Sequence, residues 1–368
     1  MGVTIHDIAR ESKVSIAAVS KALNDRAGVS EELRGRIKAI AERMQYAPYI
    51  KSRENGMMAS GVHQIAVIYD RHGGHLFDEI QRGIDASLSA SGFREIRFTI
   101  QLSEMLQESS KKIFMDKLVN DPSISGTIFV FIPLTDGDIA QFSRRGIHVV
   151  QLNVESDFGQ CVAIDNFSAA YEATKKFIDL GHATIGFVLP NDWVSQVWRD
   201  RLAGYKKAIA DHGLDYDGSW IGNESSFQPK QAGYVTHELL INNPNMTAIL
   251  YGSDIQALGG LKILREMHLR VPDDVSVIGF DDMQICELVD PPLGSVHLPM
   301  AEQGKIGTEM LLQALGSESF KNEKRILKAK VVLRRSADKT ITDPRWLEAA
   351  SPQSQEKKEE APVSPGSA

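Results

Sequence analysis

Apolar side chains recur at helical intervals through the first 46 residues, and the rhythm then changes. Between Leu33 and Met44 they fall at every third or fourth position, which predicts an amphipathic helix. Two shorter helices of the same kind are predicted before it. Thr4, Ser15 and Ser30 stand just before the three apolar segments, where N-cap residues belong. The pattern therefore predicts an all-α head of three short helices over residues 1–46.

From about residue 62 the chain alternates short continuous apolar runs with amphipathic helices. Parallel strands that are buried on both faces need such runs, and repeated β-α units predict doubly wound parallel sheets. Residues 62–336 exceed what one such sheet holds, so two similar lobes are expected, 62–163 with 295–325 and 164–294 with 326–336. The predicted strands are Ile65–Tyr69, Thr127–Ile132, Val149–Leu152, Thr184–Leu189, Ala248–Tyr251 and Val275–Phe280, with helices that include Phe77–Ser91, Ala169–Leu180 and Asp254–Met267.

Two segments show neither pattern. Residues 47–61 mix proline, glycine, serine and charged side chains, and they are predicted to form a hinge or linker of mixed helical and flexible character. Residues 337–368 combine prolines with the charged run Glu356–Glu360, a composition that cannot bury a core. We expect this last segment to be a disordered C-terminal tail.

Charge is distributed unevenly along the chain. The formal net charge is −7, but residues 1–60 carry 10 Lys and Arg against 7 Asp and Glu. The remainder is therefore strongly acidic, with a net charge of −10. A basic head on an acidic body suits a protein that contacts phosphate groups with one end only.

Composition argues against several classes of protein. No apolar run approaches the roughly 20 residues that span a bilayer, and the chain does not open with an apolar secretion segment. We therefore expect a cytoplasmic protein with no membrane partner. Cys161 and Cys286 lie far apart in the sequence and are expected to be small buried hydrophobes rather than a disulfide.

One long motif is specific enough to suggest a family. The stretch Val3–Asn24 reads V-T-I-H-D-I-A-R-E-S-K-V-S-I-A-A-V-S-K-A-L-N and resembles the head of the lactose-repressor (LacI/GalR) family. The resemblance extends to about residue 336. It implies a helix-turn-helix head, a hinge and a two-lobed body similar to periplasmic sugar-binding proteins. Further matching blocks are Gly181–Phe187, Arg201–Tyr205, Ser253–Gly259, Val271–Asp282 and Val331–Ser336.

The resemblance places a recognition helix after the first turn, with Ile16, Ala17 and Lys21 on base-reading positions. Ile16 and Ala17 can contact thymine methyl groups, and Lys21 can donate to guanine without the rigid fork of arginine. The alternative is that Ile16 belongs to the small core and Lys21 is a solvated charge. The complete set of expected DNA-contacting residues is Thr4, His6, Ser15, Ile16, Ala17, Ser20, Lys21, Asn24, Arg53 and Asn55.

The sequence departs from the family pattern at two places. Lys13 stands where the tight turn between the first two helices usually has glycine, and a left-handed non-glycine residue costs about 1–2 kcal/mol. In the hinge, Asn55 stands where a leucine usually wedges into the minor groove. Either Met57 or Met58 substitutes for that leucine, or this protein bends its DNA less.

The same resemblance assigns an effector site to the cleft between the two lobes, where Asp281 and Arg201 match ligand-binding positions. A carboxylate and a guanidinium suit a polyol, with aromatic side chains stacking on its apolar face. The alternative is that Arg201 and Asp254 form structural ion pairs and the aromatic side chains are core. The expected effector-binding residues are Tyr69, Asp70, Leu76, Phe77, Asn153, Arg201, Phe227, Ser253, Asp254 and Asp281.

These features predict a dimeric transcriptional regulator that binds an inverted-repeat operator in double-stranded DNA, and we expect a repressor controlled by a sugar-like effector. A sugar-binding module without a transcriptional role is the main alternative. An enzyme is not expected, because nucleophile-elbow, zinc-protease, P-loop and dinucleotide motifs are missing from the sequence. The segment His72–His75 is a poor metal site, and no cofactor is expected. The effector, the operator and the sign of regulation stay open.

Overall fold

Three helices form the head in this computed structural model, which describes residues 5–23, 28–43, 63–70, 74–89, 91–190, 195–224, 228–316 and 322–337. They are α1 (Ile5–Ser12), α2 (Ile16–Leu23) and α3 (Glu31–Arg43), and each contacts the other two. Their shared core is fully buried at Ile8, Val19 and Ile37. The predicted three-helix head is therefore confirmed, with a small core.

Local hydrogen bonds explain where these helices begin. The Ser15 hydroxyl accepts from the Ala18 amide at 3.2 Å, and the Ser30 hydroxyl accepts from the Leu33 amide at 3.3 Å, so both predicted caps are confirmed. Thr4 lies outside the described residues. Lys13 has a φ of 56°, as predicted for the turn between α1 and α2.

The chain beyond the head forms two units. The first runs to Ala163 and is completed by Met300–Arg325, whereas the second contains Ile164–Pro299 and the chain from Ile326. The chain therefore crosses from one unit to the other after residues 163, 299 and 325, and we call these points the three crossovers. The second crossover lies beyond the predicted boundary at residue 294. The following strand, Gly294–His297, pairs with Ser276–Asp281 and so belongs to the second sheet.

The first unit is built on a six-stranded sheet whose order is β11-β5-β4-β3-β1-β2, with β1 to β5 joined by parallel pairs. Helices α6 and α7 cover one face, where Met115, Leu118 and Phe142 pack with the strand residues Ile68 and Phe129. The elements are β1 (Gln64–Asp70), α4 (Gly74–Leu88), β2 (Arg94–Ile100), α5 (Leu102–Leu106), α6 (Glu108–Asn120), β3 (Ile124–Val130), α7 (Asp136–Arg144), β4 (His148–Leu152), β5 (Gln160–Ile164), α13 (Met300–Leu315) and β11 (Glu323–Leu327).

The second unit repeats this plan with the strand order β12-β10-β9-β8-β6-β7. Its pairs are parallel, except that β12 runs antiparallel to β10. The elements are α8 (Asn166–Asp179), β6 (Ile185–Pro190), α9 (Gln196–Asp211), β7 (Ile221–Glu224), α10 (Pro229–Asn242), β8 (Ala248–Tyr251), α11 (Asp254–Glu266), β9 (Ser276–Asp281), α12 (Ile285–Leu288), β10 (Gly294–His297) and β12 (Lys330–Val332), with short 3-10 turns at Gly218–Trp220 and Arg335–Ala337.

Helix pairs approach closely where glycine replaces a side chain. In the first unit α4 packs against α13, and a Cβ on Gly83 would lie 1.9 Å from the carbonyl oxygen of Ala301. Reciprocally, a Cβ on Gly304 would lie 2.1 Å from the carbonyl oxygen of Ile80. The two helices can meet at backbone distance only because both positions lack a side chain.

The sequence pattern identified the central strands better than the edges. All six predicted strands are present with bounds shifted by a few residues, and the predicted α/β class with doubly wound, mainly parallel sheets is confirmed. Strands β2, β5, β7, β10 and β11 were not predicted, whereas β12 overlaps the family block Val331–Ser336, which resembles a closing strand. None of the described helices has the length and apolar character needed to cross a membrane.

Candidate functional site

In the head, α2 begins directly after the Lys13 turn and carries the predicted base-reading positions on its first two turns. Val19 and Ala22 of α2 are buried in the head core. By helical periodicity, position 21 falls on the opposite side. Lys21 is exposed. The geometry thus leaves a charged side chain at the position where the resemblance expects contact with DNA.

Two other charged residues of the head form contacts between its helices. The Arg36 guanidinium donates to the carbonyl oxygen of Ser12 at 3.2 Å, and Arg43 pairs with Glu11 at 2.7 Å, so both residues join α3 to α1. The side chains of His6, Ile16, Ala17 and Ser20 are not among those that the structure describes. Thr4, Asn24, Arg53 and Asn55 lie outside the described residues altogether.

In the second unit, several predicted effector residues gather at the carboxyl-terminal edge of the sheet. Asp281 is the last residue of β9, and Ser253 and Asp254 follow β8. Arg201 lies on α9, which follows β6. This edge is where open α/β sheets bind their ligands.

Arg201 is held rigidly although it is only 3% exposed. Its guanidinium lies between the rings of Phe280 and Trp198, at 4.1 and 4.8 Å from their centroids. Nε donates to the side-chain oxygen of Asn166 at 2.9 Å, and Nη1 donates to the carbonyl oxygen of Gly252 at 2.6 Å. Burial lowers the pKa of Arg201 to about 10, while neighbouring carboxylates act to raise it. The guanidinium therefore stays cationic at neutral pH. Its two hydrogen bonds go to uncharged oxygens rather than to a carboxylate, which the alternative of a structural ion pair would require.

Asp281 occupies an unusual turn. It has a φ of 106°, and Asp282, which follows it, has a φ of 57°. Two successive left-handed residues other than glycine cost roughly 1–3 kcal/mol each, so the surrounding structure must hold them. Burial, and then the charge of Asp254, raise the pKa of Asp281 well above its ordinary range, against the lowering effect of Arg201. Among the described residues, the Asp281 carboxylate has no hydrogen-bond partner.

The Asp254 carboxylate supports the Asp281–Asp282 turn through two hydrogen bonds. It is fully buried, and its Oδ1 accepts from the Ser295 hydroxyl at 2.6 Å. Its Oδ2 accepts from the Met283 amide at 2.7 Å. Burial raises the pKa of Asp254 to about 6, although both hydrogen bonds act to lower it. Both oxygens of Asp254 are thus used inside the unit, which favours a positioning role over the expected contact with an effector.

Ser253 is also used locally, because its hydroxyl accepts from the Gln256 amide at 3.3 Å and caps α11. The effector contacts expected of Ser253 and Asp254 stay predictions.

Three residues that the sequence did not single out complete the support of the turn. The Ser295 hydroxyl accepts from the Asp282 amide at 3.0 Å while it donates to Asp254. The Asp282 carboxylate accepts from Arg334 at 2.8 Å and lies 3.1 Å from the His297 Nδ1. Sequence patterns carry no signal for these roles, since each depends on contacts between strands that are distant along the chain.

At the corresponding edge of the first sheet, the structure brings together aromatic side chains. The Phe77 ring lies 4.8 Å from the ring of Tyr69 and 5.5 Å from that of Phe131. The Tyr69 hydroxyl donates to Gln81 within the unit. Burial raises the pKa of Tyr69 above its ordinary range. Phe131 was not among the predicted effector-binding residues. It directly follows β3 and has a φ of 61°, a backbone feature that the sequence does not reveal.

The other predicted effector-binding residues of the first unit differ in their burial and in whether their side chains already form hydrogen bonds. The Asp70 carboxylate accepts from the Leu102 amide at 3.2 Å, at the start of α5. Asn153 is buried after β4 with a φ of 58°, and Leu76 is partly exposed on α4. Phe227 lies outside the described residues.

The described cysteine and histidine side chains are possible disulfide partners and metal ligands. Cys161 and Cys286 are free and buried, as predicted. Within the described ranges, no group of three His, Cys, Asp or Glu side chains is arranged to hold a metal ion. His72 falls outside those ranges.

Comparison with known proteins matches both parts of the chain. Residues 4–49 match the model of the lacI family of bacterial regulatory proteins, and residues 174–337 match that of the periplasmic binding protein-like domain. Catabolite control protein A of Priestia megaterium is 28% identical over 321 residues, which cover 87% of this chain and 94% of that protein. The HTH-type transcriptional repressor PurR of Photobacterium profundum is 25% identical over 337 residues, which cover 90% of this chain and 98% of that one.

Solved structures show the same fold. The lac repressor dimer bound to operator and the anti-inducer ONPF superposes with a TM-score of 0.64 at 23% identity, covering 92% of this chain and 99% of that one. The transcriptional regulator CelR in complex with cellobiose gives a TM-score of 0.66 at 23% identity, covering 91% and 99%. The chain thus joins a helix-turn-helix domain of the lacI family to a periplasmic-binding-protein-like domain, and its relatives among bacterial transcriptional regulators align along nearly its whole length.

Proposed function

We propose that this DNA-binding regulator is a repressor whose affinity for its operator is set by a small polyol at the carboxyl-terminal edge of the second sheet. The observation that carries the proposal is geometric. Asp281, whose carboxylate has no hydrogen-bond partner among the described residues, ends β9 at the same edge of the sheet as the rigidly held guanidinium of Arg201. An acceptor and a donor in fixed positions suit the hydroxyl groups of a sugar, which donate to one and accept from the other.

Related structures support the class of ligand. CelR is described with cellobiose, and a LacI-family regulator from Enterococcus faecium is described with ribose. Both ligands are polyols of the kind that an acidic and a basic side chain together can bind. Within the first unit taken by itself, the partly exposed Phe77 and Phe131 rings form an apolar surface at the corresponding edge of its sheet.

On the DNA side, we propose a homodimer that reads an inverted repeat. One head buries too little DNA surface for tight specific binding, and a two-fold dimer matches a two-fold operator. The lac repressor relative is a dimer on its operator. We also propose that the protein acts in the cytoplasm, because its proposed target is chromosomal DNA. The proposal assigns it no catalytic role, in keeping with relatives that are named as regulators.

The effector part is tested by thermal unfolding of the full chain with cellobiose, ribose, other sugars, sugar phosphates and purine bases. A compound at 100 times its Kd should stabilise the protein by about 2.7 kcal/mol. The shift should disappear in Asp281→Ala and Arg201→Ala. It should persist in the matched control Asp215→Ala, since Asp215 is an exposed carboxylate of the same unit. A stabilising sugar whose effect survives both site variants would show that the site lies elsewhere.

The DNA part separates the proposal from its alternative, a sugar-binding module without a transcriptional role. Selection from random duplexes should yield an inverted repeat, and binding should weaken steeply as salt rises. Adding the stabilising sugar should change the affinity for that duplex, with DNA changing the affinity for the sugar by the same factor. A protein that binds a sugar tightly but selects no DNA would support the alternative.

A further inference from the structure

Asn166 occupies a special place in the second unit. It is the first residue of α8, close after the first crossover, and is only 5% exposed. Its side-chain nitrogen donates to the carbonyl oxygen of Ile164 at 3.1 Å, and its side-chain oxygen accepts from Arg201 Nε at 2.9 Å. A single amide therefore joins the crossover backbone to the guanidinium at the proposed effector site.

The backbone at this crossover is itself fixed. The Asp165 amide donates to the carbonyl oxygen of Leu327 at 2.9 Å, and Leu327 follows the third crossover. The Asp165 carboxylate accepts from the Ser168 amide at 2.9 Å and caps α8. Asn166 consequently projects from a segment that is tied both to a helix end and to a second crossing strand.

The chemistry of this position calls for asparagine in particular. A leucine of similar size can neither donate nor accept, and an aspartate can accept from Arg201 but cannot donate to Ile164. Aspartate would also neutralise the Arg201 charge, which Asp281 and a ligand would otherwise share. The neutral amide orients the guanidinium and leaves its charge and its remaining N–H groups available.

We propose that Asn166 is the positioning residue of the effector site, which holds Arg201 in its binding orientation and ties it to the first crossover. The inference rests on the proposed function for the ligand that Arg201 binds. The test does not require that ligand, because hydrogen exchange of the Arg201 Nε–H group reports directly on its hydrogen bond to Asn166.

The test is the hydrogen exchange of the Arg201 Nε–H group, followed by NMR on the full chain with ¹⁵N-labelled arginine. The resonance is assigned by its loss in Arg201→Lys. In the wild-type protein this proton is buried and bonded, so it should exchange slowly. In Asn166→Leu the bond is lost and exchange should accelerate about 10-fold or more. In Asn166→Asp the acceptor is kept, and slow exchange should be restored.

Asn243→Leu is the matched control. Asn243 donates to Ser219 and Leu239 in the same unit and does not contact Arg201, so its loss removes comparable bonds elsewhere. Unchanged exchange in Asn166→Leu would overturn the proposal. Equal acceleration in Asn243→Leu would overturn it as well, because it would mean general loosening of the unit.

Two further outcomes keep the test decisive. Should Asn166→Leu fail to fold, Asn166→Ser, whose shorter side chain does not reach Arg201, replaces it with the same expected acceleration. Should Arg201→Ala leave sugar binding unaffected, the proposed function would fail, whereas the exchange result would still decide whether Asn166 positions Arg201.

Discussion

The turn that presents Asp281 should depend on one buried hydroxyl group. Ser295→Ala removes the fully buried hydrogen bond donated to Asp254 and the partly buried one accepted from the Asp282 amide. A hydrogen bond to a charged group is worth about 1.5–3 kcal/mol and a neutral one about 1 kcal/mol. We expect the variant to lose about 2.5–4 kcal/mol of unfolding free energy at pH 8.

The loss should depend on pH with a definite sign. Burial raises the pKa of Asp254 from 3.8 to about 6 in the folded state. The folded protein therefore holds a proton that the unfolded chain has released between these values. Its stabilising contribution is complete below pH 4 and is lost as the pH rises through 6. Removing the Ser295 hydroxyl withdraws support from the charged carboxylate, so the cost should be smaller at pH 5 than at pH 8.

Urea unfolding at both pH values, followed by tryptophan fluorescence to which Trp198 and Trp220 of the second unit contribute, measures this difference. The matched control is Ser276→Ala, because Ser276 is also fully buried in the second sheet but its hydroxyl has no hydrogen-bond partner among the described residues. We expect this variant to change stability little. Equal losses for the two serine variants, or a Ser295→Ala loss that is the same at pH 5 and pH 8, would refute the reasoning.

Three further predictions concern the head and the first unit. Lys13→Gly should stabilise the head by about 0.5–1 kcal/mol, since glycine adopts the observed φ of 56° freely; a lower melting temperature of the head would contradict this. Gly304→Ala should lower the melting temperature by at least 5 °C, the effect of about 2 kcal/mol in a unit of this size, because its Cβ would meet the Ile80 carbonyl oxygen at 2.1 Å. The control Gly92→Ala, at an exposed glycine, tests only backbone strain. Lys21→Ala should weaken operator binding and reduce its salt slope by about 1 if the side chain contacts phosphate, and should leave the slope unchanged if it contacts only a base.

How accurately a strand was predicted from the sequence depended on how deeply that strand is buried. Strands such as Ala248–Tyr251 are buried on both faces and appear in the sequence as continuous apolar runs, so their bounds were predicted closely. The edge strand β11, Glu323–Leu327, is mostly exposed and charged, and only its pairing with β5 makes it a strand. Such edges have no apolar signature that a single sequence could reveal.

The candidate site was predictable only where a motif carried it. Arg201 and Asp281 were named from family blocks, and the structure places both at the carboxyl-terminal edge of one sheet. Asn166 and Ser295 were not named, because their importance comes from hydrogen bonds across the fold rather than from neighbours in the chain. Asp254 shows the opposite case, since a conspicuous acidic residue proved to have both oxygens occupied.

The three crossovers have a consequence for synthesis on the ribosome. The first unit is not complete when residue 163 emerges, because helix α13 and strand β11 are encoded after nearly all of the second unit. Until then the edge of β5 is unpaired, and the glycine-lined face of α4 that receives Gly304 is uncovered. Nascent chains therefore carry an unprotected strand edge and an uncovered face of α4 while residues 164–299 of the second unit are synthesised, which is the condition in which chains aggregate or recruit chaperones.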